Sequence, residues 1–343
     1  MEALMSLDAN RNNSVQATKN NQTQTPEASK KPLRFFITQE IGVGASLCVL
    51  IGIFSLLQPL FWDRGNFLNI SRQAAEPALL AMGQAVAMLA GGFDLSIGGI
   101  MGLTSAVVAY AVLSVGVIPG MVIGVLLGTF IGFINGTLIA RYRLPPFIVT
   151  LGMLSLCRGL AYIITGGLPV LNLPEEFSYL GSTGYVGGLP IATIIAVVIF
   201  CIFYTVLTRS KFGYDVYSIG GNESAARLAG INVARIRTLI YMISGSLASI
   251  ASILLSSRVS SGQPSLGDGA ELLSVAAVII GGVRLRGGQG SLFGVMLGVA
   301  LLAILANGLN LINMSSYVQL VAVGLIVMVA SVGSVIRGPR SEE

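Results

Sequence analysis

From Ile41 to Ile336 the chain is a succession of apolar runs of roughly 17–23 residues, separated by short polar connections. A run of that length crosses a hydrocarbon core about 30 Å thick when it is coiled as a helix rising 1.5 Å per residue. Lipid offers backbone amides no partners, so each crossing segment must satisfy its hydrogen bonds internally, and helices do so. The charge content agrees, at 10% of residues against about 25% in soluble domains. The fold class expected is an all-α polytopic membrane protein of about ten transmembrane helices. The spans read as 41–60, 72–91, 97–115, 118–140, 146–166, 189–208, 236–258, 268–283, 289–309 and 316–336, the eighth being short and glycine-interrupted.

Orientation follows from the basic residues, which collect on the cytoplasmic side of membrane proteins. With the N-terminus inside, the cytoplasmic segments take Arg11, Lys19, Lys30, Lys31 and Arg34, then Arg141 and Arg143. They also take Arg209, Lys211, Arg227, Arg235 and Arg237, then Arg284 and Arg286, and finally Arg337 and Arg340. The outside keeps Arg64, Arg72 and Arg258, and both termini are expected in the cytoplasm. The formal charge of +5 is thus a topology signal, and nucleic acid is not expected as a partner. Residues 1–35, rich in Asn, Gln, Thr and Ser, read as a disordered cytoplasmic tail. Residues 36–337 read as the transmembrane domain, and 338–343 as a short cytoplasmic tail. The first apolar run lacks a cleavage pattern and is expected to remain as an anchor.

Two stretches share a layout. Gly91–Gly98 precedes the third span as Gly262–Gly269 precedes the eighth. Asn135-Gly136 is followed by Gly152, and Asn307-Gly308 by Gly324, at the same interval. The offset of five spans is odd, so equivalent helices run in opposite directions, as in transporters built from inverted repeats. Coincidence among glycine-rich helices is the competing reading. Within span four, Gly120, Gly124, Gly128, Gly132 and Gly136 recur at every fourth residue. On a helix of 3.6 residues per turn this makes a slowly winding stripe without side chains, against which another backbone can pack closely.

The connection 209–235 carries Gly220, Gly221, Asn222, Glu223, Ser224, Ala225, Ala226, Arg227, Leu228, Ala229 and Gly230. Asn222 suits a helix N-cap, Glu223 suits the positive end of a helix dipole, and Gly230 can end the helix. The spacing predicts a short helix with Ala225, Leu228 and Ala229 on one face. Such a helix is marginal alone in water and useful when docked on a partner subunit, on the chain itself or on the membrane surface.

Catalytic and metal chemistry find few groups here. There is no histidine, no Gly-x-x-x-x-Gly-Lys phosphate loop and no lysine in any span. The cysteines Cys48, Cys157 and Cys201 lie singly in apolar segments and read as packing residues. The chain is therefore not expected to be an enzyme. Ionisable residues inside a membrane cost roughly 2.5–3.5 kcal/mol and face cavities or partners. Those present, Glu76, Asp94, Arg158 and Glu271, form no relay along one helix, which disfavours ion coupling and a charged substrate. A neutral polyhydroxylated solute fits better. The pathway candidates are Asp94, Ser96, Asn135, Arg158, Gln263, Glu271 and Asn307. For Asp94 and Ser96 a helix cap is the competing reading, for Arg158 an interhelical or headgroup anchor, and for the asparagines an interhelical hydrogen bond. For Gln263 it is a loop turn.

Taken together, Gly91–Gly98, Gly220–Ile231, Gly262–Gly269, Gly281–Gly290 and the run Arg158-Gly159-Leu160-Ala161-Tyr162 with Thr165-Gly166-Gly167 resemble the permeases of the ribose/monosaccharide ABC importer family. The resemblance covers about 40 to 336; the long N-terminal tail and the basic Val283–Arg286 loop depart from it. It implies a transport subunit paired with a second permease chain in the bacterial cytoplasmic membrane. It further implies a separate cytoplasmic ABC ATPase that binds the ATP and magnesium, and a periplasmic sugar-binding protein. Residues 220–230 would couple to the ATPase. An ion-coupled secondary carrier with the same repeat is the alternative.

Overall fold

A computed structural model describes residues 31–315 and, beyond them, isolated positions as far as 328. The expected tail before Lys31, most of the tenth span and the C-terminal tail lie outside those residues. The chain divides into Met1–Thr38 and Gln39–Glu343, and the membrane-spanning helices lie in the second unit.

The helices are α1 (Lys31–Leu57), α2 (Arg64–Leu89), α3 (Ile97–Val115), α4 (Val117–Arg141), α5 (Pro146–Thr165), α6 (Glu175–Ser178) and α7 (Ile191–Arg209). There follow α8 (Lys211–Gly221), α9 (Glu223–Leu228), α10 (Val233–Val259), α11 (Ala270–Ile280) and α12 (Leu292–Leu311). A hairpin of two-residue strands, β1 (Tyr185–Val186) and β2 (Leu189–Pro190), precedes α7. Helix α1 starts inside the segment assigned to the tail. Among the described residues seven helices are long and apolar enough to cross a membrane: α1, α3, α4, α5, α7, α10 and α12. Of the other expected spans, 72–91 falls in the more polar α2, and 268–283 is the short α11.

Why α11 is short is visible in its approach. After Ser260, in the left-handed conformation, residues 261–269 run as turns and irregular backbone. They lie antiparallel to α3. A Cβ on Gly262 would sit 2.8 Å from the Ser105 carbonyl, one on Gly102 2.5 Å from the Pro264 carbonyl, and one on Gly267 2.8 Å from the Gly98 carbonyl. Non-helical backbone is tolerated at this depth only where protein supplies the missing bonds. Ser105 does so for Gln263, whose N–H donates to Ser105 Oγ at 2.9 Å. The contacts of the Ser105 and Ser256 hydroxyls at 2.8 Å and of Ser252 with the Met101 carbonyl at 2.7 Å tie α3 to α10 beside it. At the N-terminal end of the segment Gly262 exchanges two backbone hydrogen bonds with Val170.

Helix α10 is largely buried and packs on α2, α3 and α4. The glycine stripe of α4 explains how. Gly120 and Gly124 face Val112 and Val108 of α3, whereas Gly128, Gly132 and Gly136 face Gly245, Tyr241 and Thr238 of α10. A four-residue step overshoots one turn by about 40°, so the stripe rotates from one neighbour to the next.

Candidate functional site

At the end of the bundle bearing α8 and α9, backbone meets backbone. The Gly288 N–H donates to the Leu89 carbonyl at the end of α2 at 2.8 Å. A Cβ on Gly220 would fall 2.5 Å from the Gly288 nitrogen, and one on Gly287 2.7 Å from the Gly91 nitrogen. Tyr217 donates to the Gly290 carbonyl at 3.0 Å. The α8–α9 connection is thus joined both to the end of α2 and to the 281–290 loop that follows α11.

The short helix forms where expected and for the expected reasons. Asn222 Oδ1 accepts the Ala225 N–H at 3.0 Å. At the other end Gly230 takes φ +83°, and Ile231 N–H donates to the Ala226 carbonyl while Gly230 N–H donates to that of Arg227. That is the Schellman closure. Ala226 is buried, whereas Ala225, Leu228 and Ala229 are exposed, Leu228 to 91%. The Glu223 carboxylate binds Arg227 at 2.6 Å and Arg237 of α10 at 2.5 Å, fastening α9 to a long helix. Partial burial pushes this carboxyl upward, but the Arg227 hydrogen bond and the charge of Arg237 outweigh it and hold it below its usual range. The 209–235 connection carries a helix that the sequence reading missed, α8. The signal was present: Ser210 caps Gly213 at 3.3 Å, and Phe212, Val216 and Ile219 recur at helical spacing on its inner face.

The pathway candidates fall in separate places. Asp94 Oδ1 accepts from the N–H and the hydroxyl of Ser96, at 3.0 and 2.5 Å, and Asn135 Nδ2 donates to Ser96 Oγ at 2.9 Å. All three are fully buried, Asp94 and Ser96 in the break between α2 and α3 and Asn135 on α4. Ser96 is the N-cap residue of α3, but its side chain makes no capping bond. Asn135 therefore does make an interhelical hydrogen bond, and so does Asn307, to Asn66 at 2.8 Å. Gln263 holds Ser261 at 2.9 Å within the irregular segment. Buried polar atoms without a protein partner include both of Gln84 and Oδ1 of Asn135 and of Asn307.

Arg158 and Glu271 do meet, and they have company. Arg158 lies 2.9 Å from Asp268 Oδ1 and 3.2 Å from Glu271 Oε1. Gly98, at the start of α3, makes room for the Glu271 carboxylate, whose Cδ would lie 3.1 Å from an added Cβ. Asp268 was not singled out from the sequence, because in a glycine-rich turn an aspartate reads as a turn residue. Elsewhere Glu76 of α2 pairs with Arg258 of α10 at 3.6 Å. Among the described residues no group of His, Cys, Asp and Glu could hold a metal, and the cysteines are free.

A helical body with seven helices able to cross a membrane, an irregular stretch packed against one of them and a capped polar helix at one end is a multispan membrane protein. Comparison with known proteins sharpens this. Residues 66–330 match the model of the family described as branched-chain amino acid transport system / permease component. The ribose import permease of Bacillus subtilis strain 168 is 40% identical over 312 residues, covering 90% of this chain and 97% of that protein. The ribose import permease of Escherichia coli K12 is 38% identical over 290 residues, covering 83% and 90%. The L-arabinose transport system permease of the same strain is 37% identical over 297 residues, covering 86% and 90%. No solved structure matches. The chain belongs to the ribose/monosaccharide-type permease family of ABC importers. It is a multi-pass protein of the bacterial inner membrane.

Proposed function

We propose that this chain is the permease through which an ATP-binding cassette importer moves a small neutral sugar or sugar-like solute, by alternating access driven by a separate ATPase. Beyond family membership, the observation that carries the reading is the helix Glu223–Leu228, capped at both ends, tied by Glu223 to Arg237, and presenting Leu228 outward. ATP and magnesium would bind the cytoplasmic partner, and a periplasmic sugar-binding protein would deliver the solute. Two copies of the permease would pair in the lipid. Ten spans arranged as an inverted repeat, with both termini cytoplasmic, fit the basic-residue pattern and the irregular stretches at 90–96 and 261–269. Relatives named for ribose and L-arabinose make a pentose the natural first probe.

In this reading residues Gly220–Gly230 receive the ATPase stroke. Their junction with Leu89–Gly91 and Gly287–Gly288 hands it to both irregular stretches. Asp94, Ser96, Asn135, Arg158, Gln263, Glu271 and Asn307 lie along or behind the path. Nothing observed favours an ion-coupled carrier, which would have to move solute without a partner. The test is deletion of Asn222–Gly230 in a strain expressing the cognate ATPase and binding protein. Labelled ribose uptake should vanish while the permease still inserts; undiminished uptake rejects the lever. Ion-driven uptake by the purified chain alone rejects the importer itself.

A further inference from the structure

We infer that Arg158, Asp268 and Glu271 form a net-negative, water-facing filter on the solute path, with Asp268 the side chain that meets the solute. The inference rests on the importer reading above and adds the residues that select by charge.

Position comes first. Arg158 is twelve residues into α5, about 18 Å from its start at 1.5 Å per residue, and Glu271 lies in the first turn of α11, within the bundle. An ionised group there faces a cavity or a partner. Stoichiometry comes second. One guanidinium stands between two carboxylates, at 2.9 and 3.2 Å, so the trio carries one surplus negative charge. Burial then decides where the surplus lies. The Glu271 side chain is 10% exposed and that of Asp268 is 51% exposed, with Arg158 between them at 32%. The surplus therefore sits on Asp268, at the open side. The surroundings leave room: Gly159 beside Arg158 and Gly269 beside Asp268 have nothing within 4 Å of an added Cβ. An open carboxylate with a guanidinium at its back offers acceptors and donors side by side. Sugar hydroxyls both donate and accept, so a polyol can satisfy the two together. A phosphate or carboxylate on the solute would meet the surplus charge and be repelled.

The test reads charge and water access without needing to know the sugar. In a permease with Cys48, Cys157 and Cys201 replaced by alanine and assembled with its ATPase, Leu272→Cys places a thiol beside Glu271. It is probed from both membrane faces, with and without a non-hydrolysable ATP analogue. The reagents are a cationic (trimethylammonium) and an anionic (sulfonate) membrane-impermeant methanethiosulfonate, each normalised to its rate with a free thiol. The cationic reagent should react about fivefold faster, and Asp268→Asn in the same background should abolish that preference. Failure of both reagents to label in any state would place the trio against lipid or a subunit seam and overturn the proposal. Equal rates before neutralisation would overturn it as well. Should Leu272→Cys not accumulate, Asp268→Cys takes its place. It should label without charge preference, the surplus charge being gone, and no labelling overturns the proposal. Ribose uptake is measured separately on the protein with its native cysteines. Uptake with an unlabelled site rejects only the filter, whereas a labelled, charge-selective site without ATP-dependent uptake of any sugar rejects only the importer reading.

Discussion

At the residue scale the contrast between two glycines is the sharpest prediction. A Cβ on Gly132 would come within 2.9 Å of the Met242 Cα, so α4 and α10 cannot both stay in place if that position grows. Gly132→Leu should destabilise the purified permease by about 1–3 kcal/mol or more, read as a lower melting temperature in detergent. Gly159→Ala, with nothing within 4 Å, should leave it unchanged. Glu223 provides a pH signature. Its carboxyl lies below the ordinary value of 4.5 in the folded protein, so its contribution to stability is complete above about pH 4.5 and is lost as pH falls through the lowered value. The melting-temperature difference between wild type and Glu223→Gln should be constant above pH 4.5 and shrink below it. A difference that grows on acidification would reverse the assignment. Some of this was legible in the sequence. The stripe of α4 showed itself because its spacing is a local, periodic fact. Asp268 did not, because its importance comes from an arginine on a distant helix, and a lone aspartate between two glycines carries no trace of such a partner.

At the scale of elements, α9 depends on its ends. With six residues it makes few internal hydrogen bonds, so the loss of one capping bond matters. Asn222→Ala should cost about 1 kcal/mol of local stability, and Asn222→Asp should restore most of it. Hydrogen exchange at the amides of Ala225 to Ala229 would report both, and equal protection in the alanine variant would deny the cap its role. The irregular stretch 261–269 makes a parallel case. Ser105→Ala removes the acceptor of the Gln263 N–H and should destabilise by about 1–3 kcal/mol in chemical unfolding. Cap and stop were readable in advance because Asn and Gly act within a few residues. The course of 261–269 was not, since its distant hydrogen bonds go to Ser105 of α3 and to Val170, and its glycines and Pro264 carry no trace of those partners. The missed α8 was different in kind: its pattern was in view, but it sat in a stretch read as a connection.

At the scale of the whole molecule, the glycine junction at the α8–α9 end ties together elements that are far apart in sequence. Gly288 takes φ +71° there, and a Cβ on it would lie 2.6 Å from the Gly221 nitrogen. Gly288→Val should leave the permease able to insert and to bind its ATPase while lowering sugar uptake several-fold. Normal uptake would mean that the stroke travels elsewhere. The serine-linked stretch beside α3 has a consequence for how such a stroke is spent. An intact helix resists sliding because its amide bonds must yield as a set. Here the adjoining chain bonds α3 through a hydroxyl, that of Ser105, which pivots about a single bond and serves either as giver or as taker. Under the proposed function, a shift of this stretch along α3 trades one hydroxyl contact for another and exposes no row of bare amides to oil.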